Sequence, residues 1–338
     1  MFRSLAVFAL MICPLSVAAK DTQTIVADVV QGHVLPRYAT LEQEATSLAQ
    51  VSLDHCDPVD AALREQFHSA FDAWMALSHL RFGPSEVQNR AFALAFWPDS
   101  RGATPRTLSG LFAEKDPIAA DPEAYAQVSI AARGFYALEF LLFDDAFDGA
   151  EHDSYQCQLI QTVTADIAAT AGAIYGDWQG EYADQMTAPT AQGPYRSDTE
   201  AAQELFKALS AGLQFTAETR LGRPLGTFDQ PRPNRADARR SGRSLANVVA
   251  ALTALEDLAL RLAGEDTVLS DKLSAAFDHS LGLADQLDDP VFAGVAEPQS
   301  RLRVEVLQQS VEEIRDLVRA ELGPTLGVAA GFNALDGD

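Results

Sequence analysis

The sequence predicts an all-α protein, because helical periodicity runs along nearly all of it and no long stretch alternates in the way a strand would. Apolar residues recur three and four positions apart from Leu63 to Leu77, and again from Val304 to Val318. Gly323-Pro324 is predicted to end the last of these helices. Between Leu245 and Leu262 the helix is apolar on most sides, which is typical of a helix buried within a bundle.

A secretory leader is predicted at residues 1–19. Arg3 supplies the positive charge, the run from Leu5 to Val17 is apolar, and Ala18-Ala19 offers small side chains at a cleavage site. The run is shorter than the roughly 20 apolar residues that a membrane-spanning helix needs. We therefore predict a signal peptide that is removed, and a mature protein located in the periplasm.

The charge of the chain excludes nucleic acids as partners. Its formal net charge is −23, and loss of Arg3 with the leader makes the mature protein more acidic still. A surface of this sign repels phosphate backbones. No later segment approaches membrane-spanning length without charged residues, so no membrane span is expected after removal of the leader.

The cysteines predict one disulfide bond. The chain has three cysteines, and removal of the leader takes away Cys13 and leaves Cys56 and Cys157. An even number of cysteines in an oxidising compartment favours a disulfide over a metal site. A loop of about 100 residues closed in this way stabilises a fold by about 4–5 kcal/mol in the chain-entropy model.

Two domains are expected from the length, since roughly 320 residues exceed what a single core usually organises. The stretch from Met186 to Pro194 is small, polar and proline-bearing, like a linker. We therefore place an N-terminal helical bundle at 20–190 and a C-terminal one at 195–338, each with about four helices. Helix starts are predicted at Asp57-Pro58 and at Ser197–Glu200.

Most sequence signatures of catalysis are missing, and the chemically unusual residue is Glu139. It lies in the apolar run Ala137–Phe143, where an unpaired carboxylate costs several kcal/mol or takes up a proton. Glu139 therefore needs a partner, which is either an arginine in a buried ion pair or a component of a ligand site. Tyr136 shares its helical face, and Gly134 leaves room for a backbone or a ligand. A weak internal similarity suggests a duplicated unit, since Arg133-Gly134 and Ser241-Gly242 each precede an apolar helix.

These residues resemble a known family. Gly134-Phe135-Tyr136-Ala137-Leu138-Glu139 is similar to the Gly-x-His-x-x-Glu motif of the imelysin family. Further segments in the same order resemble imelysin-like proteins, namely Arg81-Phe82-Gly83-Pro84, Phe96-Trp97-Pro98-Asp99-Ser100-Arg101-Gly102, Arg223-Pro224-Leu225-Gly226 and Arg240-Ser241-Gly242-Arg243-Ser244-Leu245.

The resemblance implies an envelope protein of two helical bundles related by a pseudo-twofold axis, with a site between them near the motif helix. Relatives were named for a metallopeptidase activity, and others look like periplasmic components of iron uptake. We favour a protein that binds a small ligand or metal ion in this cleft, linked to iron or other cation uptake and without peptidase activity. A metallopeptidase of the imelysin type is one alternative, and a non-catalytic partner of an outer-membrane uptake system is another.

The departure from the motif bears on the metal. Tyr136 stands where the motif has His, and a neutral phenol with a pKa of about 10 is a poor zinc ligand. A phenolate can bind ferric iron, so iron or another divalent cation stays open as a cofactor of unknown identity. Glu139 is the candidate metal ligand.

Arginines near these segments offer a second kind of chemistry. If Arg81, Arg101 and Arg243 converge on the cleft, they could bind a carboxylate-bearing ligand or a metal chelate. Alternatively, each fixes its own loop, as Arg101 would do by pairing with Asp99. The predicted ligand-binding residues are Gly134, Tyr136, Glu139, Arg81, Asp99, Arg101, Ser241 and Arg243.

Overall fold

Helices account for the regular structure of this chain. The computed structural model describes residues 22–147 and 154–327. Within these ranges the one β feature is an isolated bridge between Thr227 and Gln230, and the predicted all-α class is confirmed. The predicted leader at 1–19 lies outside the described residues. No helix in the described ranges is both long and apolar enough to cross a membrane.

Four helices from the first part of the chain form what we call the first helix group: α2, α3, α7 and α8. In chain order this part contains α1 (Thr22–Val29), α2 (Leu35–Asp54), α3 (Ala61–Met75), α4 (Arg90–Leu94), α5 (Ala103–Glu114), α6 (Pro122–Tyr125), α7 (Gly134–Phe143), α8 (Ser154–Asp177) and α9 (Ala183–Thr187). Helix α2 packs on α3 and α8, and α7 packs on α8. Their core contains the stacked rings of Phe71 and Phe135, whose centroids lie 5.1 Å apart.

A second helix group consists of α10, α12, α13 and α14. The second part of the chain contains α10 (Asp198–Gln214), α11 (Gly222–Leu225), α12 (Ser244–Ala263), α13 (Thr267–Asp285), α14 (Pro298–Leu317) and α15 (Gly323–Thr325). Helix α13 packs between α12 and α14, and α10 contacts both α12 and α14. Eleven residues of α12 are buried, which confirms the predicted buried helix.

One long helix joins the two groups. Helices α1 and α2 are continuous through a π-helical segment, Val30–Val34. The α1 end packs on α10 and α12, whereas α2 packs on α3 and α8. The predicted domain boundaries at 20–190 and 195–338 stay a prediction, and α1, which belongs to the first of these ranges in sequence, lies against helices of the second group.

Local signals at the helix ends had mixed outcomes. The predicted start at Ser197 is confirmed, because its Oγ accepts a hydrogen bond from the amide of Glu200 and caps α10. The predicted start at Asp57 is wrong: Asp60 caps α3, and Asp57 instead accepts from the amide of Val59 in the preceding turn. The predicted stop at Gly323-Pro324 is also wrong. A π-helical segment, Val318–Leu322, leads into α15. Pro324 lies in the first turn of α15, where the missing amide of a proline is tolerated.

The predicted disulfide bond is present between Cys56 and Cys157. The two Cα atoms lie 5.0 Å apart although 101 positions separate them in sequence. Cys56 follows α2 and Cys157 lies in the first turn of α8, so the bond ties together two helices that also pack along their lengths.

Candidate functional site

Gly134 allows the motif helix α7 to begin against the end of α4. Its φ is +74°, and a Cβ atom there would lie 2.2 Å from the carbonyl oxygens of Ala93 and Leu94. Any other residue would therefore clash with backbone that cannot move away cheaply. At Gly134 the neighbour that approaches closely is the backbone of α4. This approach fixes where the side chains of α7 point.

Tyr136 is buried and makes a short hydrogen bond to a carboxylate of the second part of the chain. Its hydroxyl donates to Oδ1 of Asp237 at 2.5 Å. Its ring stacks on Trp97, with centroids 6.1 Å apart and planes 20° from parallel. Burial, followed by the negative charge of Asp237, raises the pKa of Tyr136 well above its ordinary value of 10.0. The side chain is therefore a neutral phenol that donates a hydrogen bond to Asp237.

Asp237 is fully buried and accepts hydrogen bonds from three different elements. Besides Tyr136 of α7, Asn247 of α12 donates to its Oδ2 at 3.2 Å. Arg220 pairs with Oδ2 at 3.4 Å and also donates to Ser78 Oγ at 3.0 Å. Burial raises the pKa of Asp237, and the positive charge of Arg220 opposes that shift. The carboxylate thus has a charged partner and two neutral donors, as a buried charge requires.

Glu139, one turn after Tyr136, contacts the same stretch of chain. Its Oε1 accepts from the backbone amide of Ser241 at 3.0 Å and from the Ser241 hydroxyl at 2.8 Å. Burial raises the pKa of Glu139 above its ordinary value of 4.5, while both donors of Ser241 and the charge of Arg240 act in the opposite direction. The structure therefore brings together two predicted site residues, Glu139 and Ser241, and the partner of Glu139 is a pair of neutral donors.

A first cavity, which we call the seam cavity, lies where the two helix groups meet and has a volume of about 250 Å³. Its walls are mostly apolar and aromatic, and Tyr136 and Arg220 belong to its polar surface. Helices α3, α7, α10 and α12 and the π-helical segment Phe215–Leu221 all contribute to it. The lining residues are Trp74, Met75, Ser78, His79, Arg81, Ala95, Trp97, Tyr136, Ala211, Gly212, Phe215, Arg220, Ala251 and Leu255.

A smaller and more polar cavity of about 190 Å³ shares Tyr136 and Trp97 with the seam cavity as lining residues. Glu139 and Asp99 line it, together with Arg223 and Arg240. The carboxylate of Asp99 accepts from the backbone amides at positions 101, 103 and 104, so it organises the start of α5. The predicted pairing of Asp99 with residue 101 is thus made by the backbone.

The three predicted arginines do not converge. Arg81 lines the seam cavity but pairs with Glu86 at 2.8 Å and covers the ring of Phe92. Arg243 pairs with Asp72 and approaches Nδ1 of His68 at 3.0 Å, which ties the start of α12 to α3.

Arg101 is exposed and lies outside both cavities. Of these three arginines, only Arg81 is therefore placed where it could touch a molecule in the seam cavity.

Arg220, Asp237 and Asn247 were missed by sequence reasoning. Asp237 stands among arginines at 235, 239 and 240, where an acid looks like an ordinary surface charge. Arg220 lies two positions after Glu218 and three before Arg223, and Asn247 lies in an apolar helix that signalled burial alone. A signal for Asn247 did exist, since a buried amide needs a partner in the same way as Glu139 does.

The residues present do not suit a metal ion at the motif. One oxygen of Glu139 already accepts two hydrogen bonds, and the Tyr136 hydroxyl is engaged by Asp237. Across residues 22–147 and 154–327, no group of three or more His, Cys, Asp or Glu side chains is placed to hold a metal. Binding of a metal by Glu139 stays a prediction that this donor set does not favour.

Comparisons with known proteins identify one family and two similar folds. The family model described as Imelysin matches residues 34–318. An imelysin-like protein from Psychrobacter arcticum 273-4 has a crystal structure that is similar to this chain, with 22% identity, a TM-score of 0.79, and coverage of 94% of this chain and 98% of that one.

A second crystal structure, from Parabacteroides distasonis ATCC 8503, is named as that of a candidate iron-regulated protein A precursor. Its identity is 13% and its TM-score 0.73, over 90% of this chain and 94% of that one. A search of the curated proteins finds no match. At these identities the likeness between structures is one of fold.

Replacing Glu139 with Gln is expected to change how stability depends on pH. A raised pKa means that the native state holds this proton more tightly than the unfolded chain does, so the stability of the wild-type protein falls as pH rises from 4.5 to the raised value. The variant lacks this contribution, and its stability relative to wild type should therefore increase with pH across that window. Urea unfolding at a series of pH values measures the difference.

Ser241→Ala provides the control of opposite sign. It removes a donor that stabilises the Glu139 carboxylate, so the pKa of Glu139 should rise further. The pH range over which stability falls should then extend to higher pH, and the free energy of unfolding should fall by about 1–3 kcal/mol. A difference between Glu139→Gln and wild type that is constant with pH would contradict the assignment of Glu139 as a buried titrating group.

Proposed function

The chain belongs to the imelysin family, and from this premise we propose that it is a non-enzymatic protein of the cell envelope that binds a small ligand in the seam cavity. The observation that carries the proposal is the cavity itself, which is lined by residues of both helix groups and includes Tyr136 of the family motif in its wall. Clefts between helices are common places for ligand sites.

The walls of the seam cavity favour a small organic molecule over a bare metal ion. Trp74, Trp97 and Phe215 present aromatic surface, and Ser78 and Arg220 supply a few polar groups. Mostly apolar walls with a small number of placed polar groups are typical of ligand pockets. An apolar cavity of about 150 Å³ is enough to take up benzene, so this larger volume has room for a substituted ring.

Filling the cavity should abolish binding. Ala251→Phe places a ring in the cavity wall, whereas Ala246→Phe adds the same side chain on the exposed face of the same helix, α12. With toluene as the probe, we expect wild type and Ala246→Phe to bind alike and Ala251→Phe to bind about tenfold more weakly or not at all. The fluorescence of Trp74 and Trp97 reports binding, and calorimetry checks it. Equal binding by all three proteins would sink the proposal.

A link to iron or other cation uptake is part of the proposal. It is supported by the name of one structural neighbour, which describes that protein as iron-regulated. The disulfide bond between Cys56 and Cys157 supports an oxidising compartment such as the periplasm. An outer-membrane uptake system is the proposed partner.

Growth of the native host tests this link. A deletion strain is expected to grow more slowly than its parent when a chelator limits iron, and wild type or Ala246→Phe should restore growth. Ala251→Phe, and a version without residues 2–19, should not. Normal growth of the deletion strain argues against the link to iron, whereas rescue by Ala251→Phe indicates a partner role that needs no ligand.

Peptidase activity is not expected. Zinc-dependent hydrolysis needs about three protein ligands and a bound water, and Tyr136 and Glu139 are both engaged by other side chains. Folded protein supplied with zinc should leave casein intact, as measured by release of soluble peptides. Cleavage that stops on addition of EDTA, and that Glu139→Gln abolishes, would instead support the metallopeptidase alternative.

A further inference from the structure

Three side chains form a hydrogen-bonded series that we call the histidine chain: Asp257, His33 and His79. Oδ2 of Asp257 lies 2.7 Å from Nδ1 of His33, and Nε2 of His33 lies 2.9 Å from Nε2 of His79. Asp257 belongs to α12, His33 to the π-helical segment after α1, and His79 to the segment after α3. His79 lines the seam cavity, so the series starts in the second helix group and ends at the cavity.

The Asp257 end of the histidine chain is a carboxylate, which can only accept hydrogen bonds. Arg37 lies 3.0 Å from its Oδ2 and Arg261 2.9 Å from its Oδ1. Although burial acts in the opposite direction, the hydrogen bond from His33 and the two arginines lower the pKa of Asp257 to about 2. Gly32 leaves the space that the Arg261 guanidinium occupies, since a Cβ there would lie 2.2 Å from it. Nδ1 of His33 must therefore carry the hydrogen.

Both imidazoles are neutral near pH 7. Burial lowers the pKa of His33 to about 4, and burial also lowers the pKa of His79 well below 6.5. A neutral imidazole has one N–H and one bare nitrogen. With its hydrogen on Nδ1, His33 accepts through Nε2, and His79 must donate from Nε2. Nδ1 of His79 is then a bare acceptor.

That acceptor has no partner in the protein. Among residues 22–147 and 154–327, Nδ1 of His79 is buried without a hydrogen bond. Buried polar atoms are nearly always paired, so an unpaired acceptor on a residue that lines a ligand-sized cavity points to a donor on the ligand. The hydroxyl of Tyr136, another polar group of the cavity, already donates its hydrogen bond to Asp237 and is not the partner of His79.

We propose that the seam cavity takes a small aromatic molecule bearing a hydroxyl group, whose O–H donates to Nδ1 of His79, and that Asp257 and His33 hold His79 in the accepting tautomer. The proposal rests on the proposed function and names its ligand class. Aromatic walls favour a ring, and the positive charges of Arg81 and Arg220 disfavour an ammonium group. A carboxylate has no hydrogen to donate and would face the lone pair of Nδ1.

Binding of phenol and of anisole distinguishes a donor from a molecule of similar shape without one. Calorimetry should show phenol binding about tenfold more tightly than anisole to wild type, which is the worth of one good hydrogen bond. His79→Phe should bind both probes equally, and His279→Phe, at an exposed histidine, should keep the preference. His33→Leu keeps His79 but releases its tautomer, and it should lose the preference as well.

Nitrogen-15 NMR of the histidines gives a second measurement that needs no variant. Near neutral pH, His33 should carry its hydrogen on Nδ1 and His79 on Nε2. The opposite tautomer of His79 would overturn the proposal. So would equal binding of phenol and anisole to wild type, tighter binding of benzoate than of phenol, or a preference for phenol that survives in His33→Leu.

Failure of this proposal is distinguishable from failure of the proposed function. If toluene and anisole bind and Ala251→Phe prevents it, the seam cavity is a ligand site whatever the preference for phenol. If folded wild-type protein binds none of these probes, both the ligand class and the site are contradicted.

Discussion

The structure depends on the burial of one carboxylate, that of Asp237. A buried charge without partners costs several kcal/mol, so its partners must be held in place by the elements that carry them. Tyr136 comes from α7, Arg220 from the π-helical segment after α10, and Asn247 from α12. The same three elements contribute walls of the seam cavity. Pairing this charge therefore also fixes the shape of the cavity.

The spacing of the family motif follows from a second contact beside the first. Residues 136 and 139 are three apart and so face the same side of α7. Their partners, Asp237 and Ser241, lie on one stretch of chain just before α12. Tyr136, which stands where the motif has His, is a donor pointed at Asp237. In this chain the motif thus joins α7 to the segment just before α12, with Tyr136 as a donor and Glu139 as an acceptor of hydrogen bonds.

Sequence reasoning reached the fold and part of the site, because those signals are local. The period of the helices, the pair Cys56 and Cys157, and the need of Glu139 for a partner can all be read from neighbouring residues or from composition. The choice of partner could not, because Ser241 is 102 positions from Glu139 and meets it only after folding. Asp237 was hidden for a related reason: its sequence neighbours are basic, and its burial is set by helices distant in sequence.

The π-helical segments account for the position of Arg220, which was also missed. Periodicity treats a helix as regular, and each additional residue in a turn rotates the following side chains by about 100° without a mark in the sequence. Two of these segments, Val30–Val34 and Phe215–Leu221, carry His33 and Arg220. Both residues lie at the seam between the helix groups, and each pairs with a side chain from another element. A regular helix would point these residues elsewhere, so the contacts of His33 and Arg220 depend on the positions where the helical period is broken.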